Sequence, residues 1–154
     1  MKIELTKEQY KNLIILVEIG GWPLGILSDA IEDGEDYEKR NDKAEELQNY
    51  LLKYAEDFGC KDLVGEFDGK RYLKEKIIDG DVYPVIEDYV DFEMQDGLAN
   101  ELAIRDFRQE HSEAEIKKMG KENGGYFGVA LYDYEKKYWE EFENYGYDRL
   151  EVKK

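Results

Sequence analysis

Residues 37–59 read YEKRNDKAEELQNYLLKYAEDFG, and this stretch decides the fold class. Ala44, Leu47, Leu51, Tyr54, Ala55 and Phe58 recur at three- and four-residue intervals. That repeat puts apolar side chains on one stripe of an α-helix. Charged and amide side chains fill most of the positions between. Gly59 follows, and glycine takes the left-handed conformation that closes a helix without a Cβ clash. The spacing predicts one long amphipathic helix over about 37–58, whose stripe other elements must cover.

Upstream, Thr6 with Gln9 three residues later forms a capping box. Tyr10, Leu13, Ile14 and Val17 follow as a helical stripe. Gly20-Gly21 reads as a stop, and Pro23 as the first turn of a second, short helix carrying Leu24, Leu27 and Ile31. Asp33-Gly34-Glu35-Asp36 reads as a polar turn. Downstream, Leu63-Val64 and Tyr72-Leu73 flank Asp68-Gly69, which fits either a small hairpin or an irregular loop. Pro84 opens a helix whose stripe is Ile86, Tyr89, Val90 and Met94. Asp96-Gly97 reads as a break, after which Leu98, Leu102, Ala103 and Phe107 continue the spacing. Ser112 and Glu115 make a second capping box before a short helix ending at Gly120. The last helix covers about 127–145 through Phe127, Leu131, Tyr134, Tyr138 and Phe142, and Gly146 ends it. Residues 2–5 and 149–152 alternate polar and apolar, as paired terminal strands would. The expectation is a mainly α protein: one compact helical domain over 1–154 with five or six helices, and room for a small terminal β-sheet.

Composition bounds the rest. The 154 residues are 42% apolar and 14% aromatic, enough for a sizeable core and unlike a disordered chain. The longest apolar run, Leu13–Val17, is far short of the roughly 20 residues of a membrane span. The opening Met1-Lys2-Ile3-Glu4-Leu5 has no apolar signal region. A soluble, cytoplasmic protein is expected. Cys60 is the single cysteine, so no internal disulfide can form. Thirty-eight acids against 22 bases give a net charge of −16, which opposes direct binding to nucleic acid or to anionic membranes.

Few side chains have the pattern of a reactive site. His111 is the only histidine, and with Cys60 it cannot supply the three or four ligands of a zinc site. His111 reads as a solvent-exposed residue at a helix boundary, and Cys60 as a structural thiol. Gly124-Gly125-Tyr126-Phe127-Gly128 lacks the spacing and the lysine of a phosphate loop. Asp29–Arg40 comes nearest to a calcium loop, with Asp33 and Gly34 in place, but Ile31 and Arg40 occupy ligand positions. No cofactor and no catalytic activity are expected. An enzyme or small-molecule binder with a pocket invisible in sequence stays as an alternative.

The remaining feature is electrostatic. Between Asp79 and Ile104 there are eight carboxylates and no Lys or Arg. Over 79–115, twelve acids face only Arg105 and Arg108, a net −10. Glu87 and Asp91 lie four apart, a spacing at which like charges on a helix repel. A row of carboxylates at this interval roughly resembles the phosphates of one nucleic-acid strand. Tyr89 fits the core stripe, whereas Tyr83 and Phe92 are free to make contacts. The expected binding residues are Asp81, Tyr83, Glu87, Asp88, Asp91, Phe92, Glu93 and Glu101. The expected partner is a basic protein surface, such as that of a nuclease or another nucleic-acid-binding protein. Inhibitors of the anti-restriction or anti-CRISPR kind use such a device as nucleic-acid mimics. A toxin-neutralising immunity protein uses the same physics, and an acidic face that is merely solvated is the plain alternative.

Several segments also carry a resemblance. They are Leu5-Thr6-Lys7-Glu8-Gln9-Tyr10, Leu16-Val17, Trp22, Tyr54-Ala55-Glu56-Asp57-Phe58-Gly59 and Asp62-Leu63-Val64. Glu101-Leu102-Ala103-Ile104-Arg105-Asp106-Phe107, Tyr138-Trp139-Glu140-Glu141-Phe142, Gly146 and Asp148-Arg149-Leu150-Glu151-Val152 complete the set. Together they resemble a family of small, acidic, uncharacterised prokaryotic proteins, partly found on mobile elements. The resemblance spans most of the chain and is patchy over 23–50. It brings no activity and no site residues, and implies that these segments are helix stripes and caps.

Overall fold

Thr6 starts the first helix as its capping box predicts. Its Oγ1 accepts from the Gln9 N–H (3.2 Å), and the Gln9 side chain accepts from the Thr6 N–H (2.9 Å). The computed structural model describes residues 4–31 and 35–151. Five helices of ten or more residues are present among them: α1 (Lys7–Ala30), α2 (Glu35–Leu52), α4 (Tyr83–Glu110), α5 (Glu113–Glu122) and α6 (Gly128–Tyr145). The strands β1 (Val64–Phe67) and β2 (Lys70–Leu73) and a three-residue helical turn, α3 (Glu75–Ile77), complete the order. The fold is mainly α with a small antiparallel sheet. Packing gathers the chain into two compact units, residues 1–88 and 89–154, with the boundary inside α4.

In the first unit, α1 runs through both of its expected breakers. Gly20 and Gly21 keep negative φ, so neither forms a left-handed cap. Pro23 sits inside the helix, where loss of its N–H and ring crowding cost about 3 kcal/mol. The helix persists because apolar residues on both sides of that point face α2, its most extensive packing partner. Leu13, Val17, Leu24 and Leu27 are half-buried and Ile14 is buried. A Cβ on Gly25 would lie 3.7 Å from Asn41 Oδ1 on α2. The opposite side of α1 stays open, with Leu16 and Ile26 exposed. An 18-residue window of α1 has a mean hydropathy of 1.5, long and apolar enough by composition alone to cross a membrane, as core helices also can be.

Of the expected stripe over 37–58, Ala44, Leu51 and Phe58 are half-buried and Ala55 is buried, whereas Leu47 and Tyr54 are exposed. Tyr50 is also exposed, while Tyr37, Asn41 and Gln48 are half-buried and Leu52 is buried. Two of these residues are amides, which an apolar count passes over. The Gln48 amide donates to the Glu18 carboxylate of α1. Burial pushes the Glu18 pKa up, and that hydrogen bond opposes the shift. Helix α2 ends at Leu52, and turns continue to Gly59, which takes φ 67° as its role requires.

Tyr10, Ile14, Leu52, Ala55, Cys60, Leu73 and Ile77 form the core of this unit. The Tyr10 ring stacks on Phe58 at 4.4 Å, and its hydroxyl donates to the Leu51 carbonyl at 2.8 Å. The segment over 63–73 is the hairpin of the two expected forms, with Val64 opposite Leu73 and Phe67 opposite Lys70. Asp68 (φ 49°) and Gly69 (φ 75°) make its two-residue turn, the left-handed pair that matches strand twist. A π turn, Ile78–Val82, then leads into α4.

In the second unit, Ala99, Ala103 and Phe107 of α4 and Phe142 of α6 are buried. Phe107 collects the rings of His111 (4.6 Å), Tyr134 (5.8 Å) and Phe127 (6.1 Å). Ser112 and Glu115 form their capping box, but α5 passes Gly120 and ends at Glu122. The left-handed residues are instead Gly124 and Gly125, and Gly146 closes α6 at φ 53°. Asp96-Gly97 does not break α4. The stripe expected over 86–94 faces solvent: Tyr89, Val90 and Met94 are exposed and only Ile86 is half-buried.

The small sheet is the internal hairpin rather than a terminal one. Glu4, Leu5, Leu150 and Glu151 form no strand, and Leu150 is exposed. Ile3 and Val152 lie outside the described residues.

Tyr10 gives a test of the first core. Burial is the main cause that pushes its pKa from 10.0 up to about 12, and Cys60 and Asp57 add to it. The folded state therefore favours neutral Tyr10. Its contribution is complete below pH 10 and is lost as pH rises toward 12. Tyr10→Phe should cost about 1 kcal/mol at pH 7 through the lost hydrogen bond. That deficit should shrink by about 1 kcal/mol at pH 11, measured by urea unfolding at both values.

Candidate interaction surface

Bases are outnumbered in this chain, and those present are mostly used close to home. Lys39 and Arg40 pair with Glu35 and Asp36 one turn earlier on α2, at 3.1 and 2.9 Å. Lys117 and Lys118 pair within α5, and Lys136 within α6. Lys70 reaches Glu45 at 3.5 Å, and Arg149 reaches Glu141 at 3.1 Å. The acidic stretch of α4 receives none of them. Among the described residues, Glu87, Asp88, Asp91, Glu93, Asp96 and Glu101 have no ion-pair partner, and all six are exposed.

The expected binding residues fall into three groups. Asp81 is not free: it lies in the π turn, half-buried, and holds Lys11 at 3.1 Å. Its hydrogen bond is the main cause that raises the Lys11 pKa. Tyr83 is also engaged, edge-on to Trp22 at 5.0 Å. Glu87 and Asp88 are open carboxylates at the end of the first unit. Asp91, Glu93 and Glu101 are open carboxylates of the second. Phe92 is 56% exposed, with one side of its ring 5.6 Å from the Trp139 ring. Tyr89, expected in the core, is 60% exposed and belongs with the surface residues.

Helix geometry decides how these acids are arranged. At about 100° per residue, Glu87, Asp91 and Glu101 share a face with Val90, Met94 and Leu98. Glu93 points about 200° away from Asp91, and Asp88 and Asp96 flank Phe92. The carboxylates therefore surround α4 and do not form one phosphate-like row. Apolar side chains stand between them, so the surface is acidic and sticky at once.

The densest polar cluster lies elsewhere in the second unit, and no linear pattern signals it. Asp106 accepts hydrogen bonds from Arg105 (2.7 Å), Lys137 (3.2 Å) and the Tyr138 hydroxyl, and Arg105 also reaches Tyr138 (2.9 Å). Its members come from positions more than thirty residues apart on α4 and α6. The Tyr138 hydrogen bond, aided by Arg105 and Lys137, holds the Asp106 pKa down to about 2 against the effect of burial. Every group is satisfied by another, which is the signature of a structural clamp. A neighbouring cavity of about 320 Å³ is lined by Lys137 and Arg149, and both cations are already paired.

Cys60 is fully buried, and burial pushes its thiol pKa up. His111, expected in solvent, is half-buried because its ring packs against Phe107. Among the described residues, no group of three or more His, Cys, Asp or Glu is placed to hold a metal ion. No family model, no curated protein and no solved structure matches this chain.

The clamp has a pH signature. Asp106 is depressed in the folded state, so its stabilisation is present above the ordinary carboxyl value of 3.8 and is lost as pH falls toward 2. Asp106→Asn should destabilise the protein by roughly 1–2 kcal/mol at pH 7. Urea midpoints of variant and parent should draw together below about pH 4 and converge only once the pH is below about 2.

Proposed function

We propose that this is a non-catalytic, cytoplasmic interaction protein whose acidic α4 segment occupies a basic protein surface. The observation that carries the reading is the run of exposed acids without ion-pair partners, in a chain that pairs acids on most of its other elements. Such a surface attracts a cationic partner at long range and raises the rate of encounter. Its most concrete form is a nucleic-acid mimic that inhibits a nuclease or another nucleic-acid-binding defence protein, of the anti-restriction or anti-CRISPR kind.

One observation favours a second form. Tyr89, Val90, Phe92 and Met94 are exposed among the acids, and a phosphate row has no counterpart to them. Aromatic and methionine side chains are enriched where proteins dock on proteins. An immunity protein that neutralises a basic toxin would use such a mixture. In both forms the partner is a basic protein, the acids set the rate of association, and the apolar side chains slow dissociation.

The test compares the parent chain with the variant carrying Asp88→Lys, Asp91→Lys and Glu93→Lys, each used as bait in extract of the native host. The parent should retain a basic protein that 0.5 M salt releases, since exposed charges are screened within about 8 Å already at physiological ionic strength. The variant should lose that protein, with association slowed at least tenfold, while its melting temperature holds or rises as like-charge repulsion is relieved. Equal recovery of every partner by both baits would reduce the acidic segment to a solubility device.

A further inference from the structure

We infer that the second unit binds a cationic side chain, an arginine guanidinium, in the aromatic groove of Phe92, Tyr132 and Trp139; this rests on the acidic-surface reading and deepens it. The three rings, with Glu135 and Lys136, line a cavity of about 420 Å³. Phe92 and Tyr132 are 56% and 62% exposed, so ring surface is open to an incoming group. The Phe92 and Trp139 rings are tilted at 34°, forming a cleft and not a closed stack. Aromatic faces carry the negative side of the ring quadrupole and attract cations, with tryptophan the strongest.

Glu135 turns this apolar cleft into a charged one. It is half-buried, and its Oε1 accepts from the Asn100 amide at 2.9 Å. That donor is neutral, and among the described residues no cation pairs with Glu135. A partly desolvated carboxylate beside three rings is best compensated by a positive ligand. Lys136 does not fill the role: its ammonium turns to Glu140, 3.7 Å away. Asp96 lies one turn beyond Phe92 and Glu143 one turn beyond Trp139, both exposed and without ion-pair partners. A neutral apolar segment would leave Glu135 uncompensated, and an anion would be repelled. Arginine fits better than lysine because its planar guanidinium can lie on a ring while its N–H fork bonds a carboxylate.

The probes are a hexaarginine and a hexalysine peptide of equal charge, titrated into the ¹⁵N-labelled full chain. Tryptophan indole signals provide both readout and control, since Trp139 lines the groove and Trp22 packs on Tyr83 in the first unit. Hexaarginine should bind about fivefold more tightly than hexalysine and shift the Trp139 indole, with Trp22 unmoved. Tyr132→Leu and Glu135→Gln should each erase that preference; the exposed position of Tyr132 leaves folding intact, which thermal melting verifies. Equal binding of both peptides, with both variants unchanged, would overturn the groove and leave the acidic surface standing. Failure of both peptides to bind in 20 mM salt would overturn the groove and the acidic-surface reading together.

Discussion

Thirty-eight acids and 22 bases must share one surface, and this imbalance governs how the chain is organised. Exposed ion pairs contribute little individually, typically 0–1 kcal/mol. Their distribution nevertheless decides where negative charge accumulates. Helices α2, α5 and α6 carry bases one turn from acids, and each forms at least one ion pair within itself. From Tyr83 to Ile104, α4 has no base to use, so its carboxylates can be relieved only by solvent counterions or by another molecule. Like charges one turn apart cost a few tenths of a kcal/mol each, a cost that an isolated helix would feel. Anchoring at both ends offsets it: Val82 is buried before the acidic stretch, and Ala99, Ala103 and Phe107 are buried after it.

The cores explain why the acidic segment can remain so exposed. In the first unit, α1 and α2 pack along their length, and the Tyr10–Phe58 stack joins them to the turns before the hairpin. In the second, Phe107 and the Asp106 clamp fix α4 to α6 through long side chains. Neither core recruits Tyr89, Val90 or Met94. These apolar residues lie among charges, and while single exposed hydrophobics are ordinary, a cluster of them is less so.

What was legible in the sequence was mostly local. Both capping boxes involve groups three residues apart, and both form as read. Gly146 closes α6, and Gly59 closes the turns that follow α2, both at positive φ. Gly20-Gly21 and Gly97 fail as stops because the stripe resumes beyond each, and packing outweighs the roughly 1 kcal/mol cost of glycine in a helix. Periodicity over 86–94 correctly announces a helix and misplaces its face, because a stripe in sequence does not guarantee a partner in space. Asn41 and Gln48 were hidden in α2 because amides take inward positions once bonded, Gln48 to Glu18 of α1 and Asn41 to Glu45 one turn on. The acidic block was visible as composition, but the loss of Asp81 to Lys11 was not, since the two residues are seventy positions apart. The aromatic groove was invisible for the same reason, with only Phe92 singled out beforehand.

The central claim is that α4 carries unneutralised charge in the folded protein. Its most direct test is the salt dependence of thermal unfolding. Raising NaCl from 20 to 500 mM should increase the parent's melting temperature by screening repulsion along α4. The neutralised variant Asp88→Asn, Asp91→Asn, Glu93→Gln should start higher at low salt and show a clearly smaller increase. A variant whose melting temperature rises with salt as steeply as the parent's would contradict the claim.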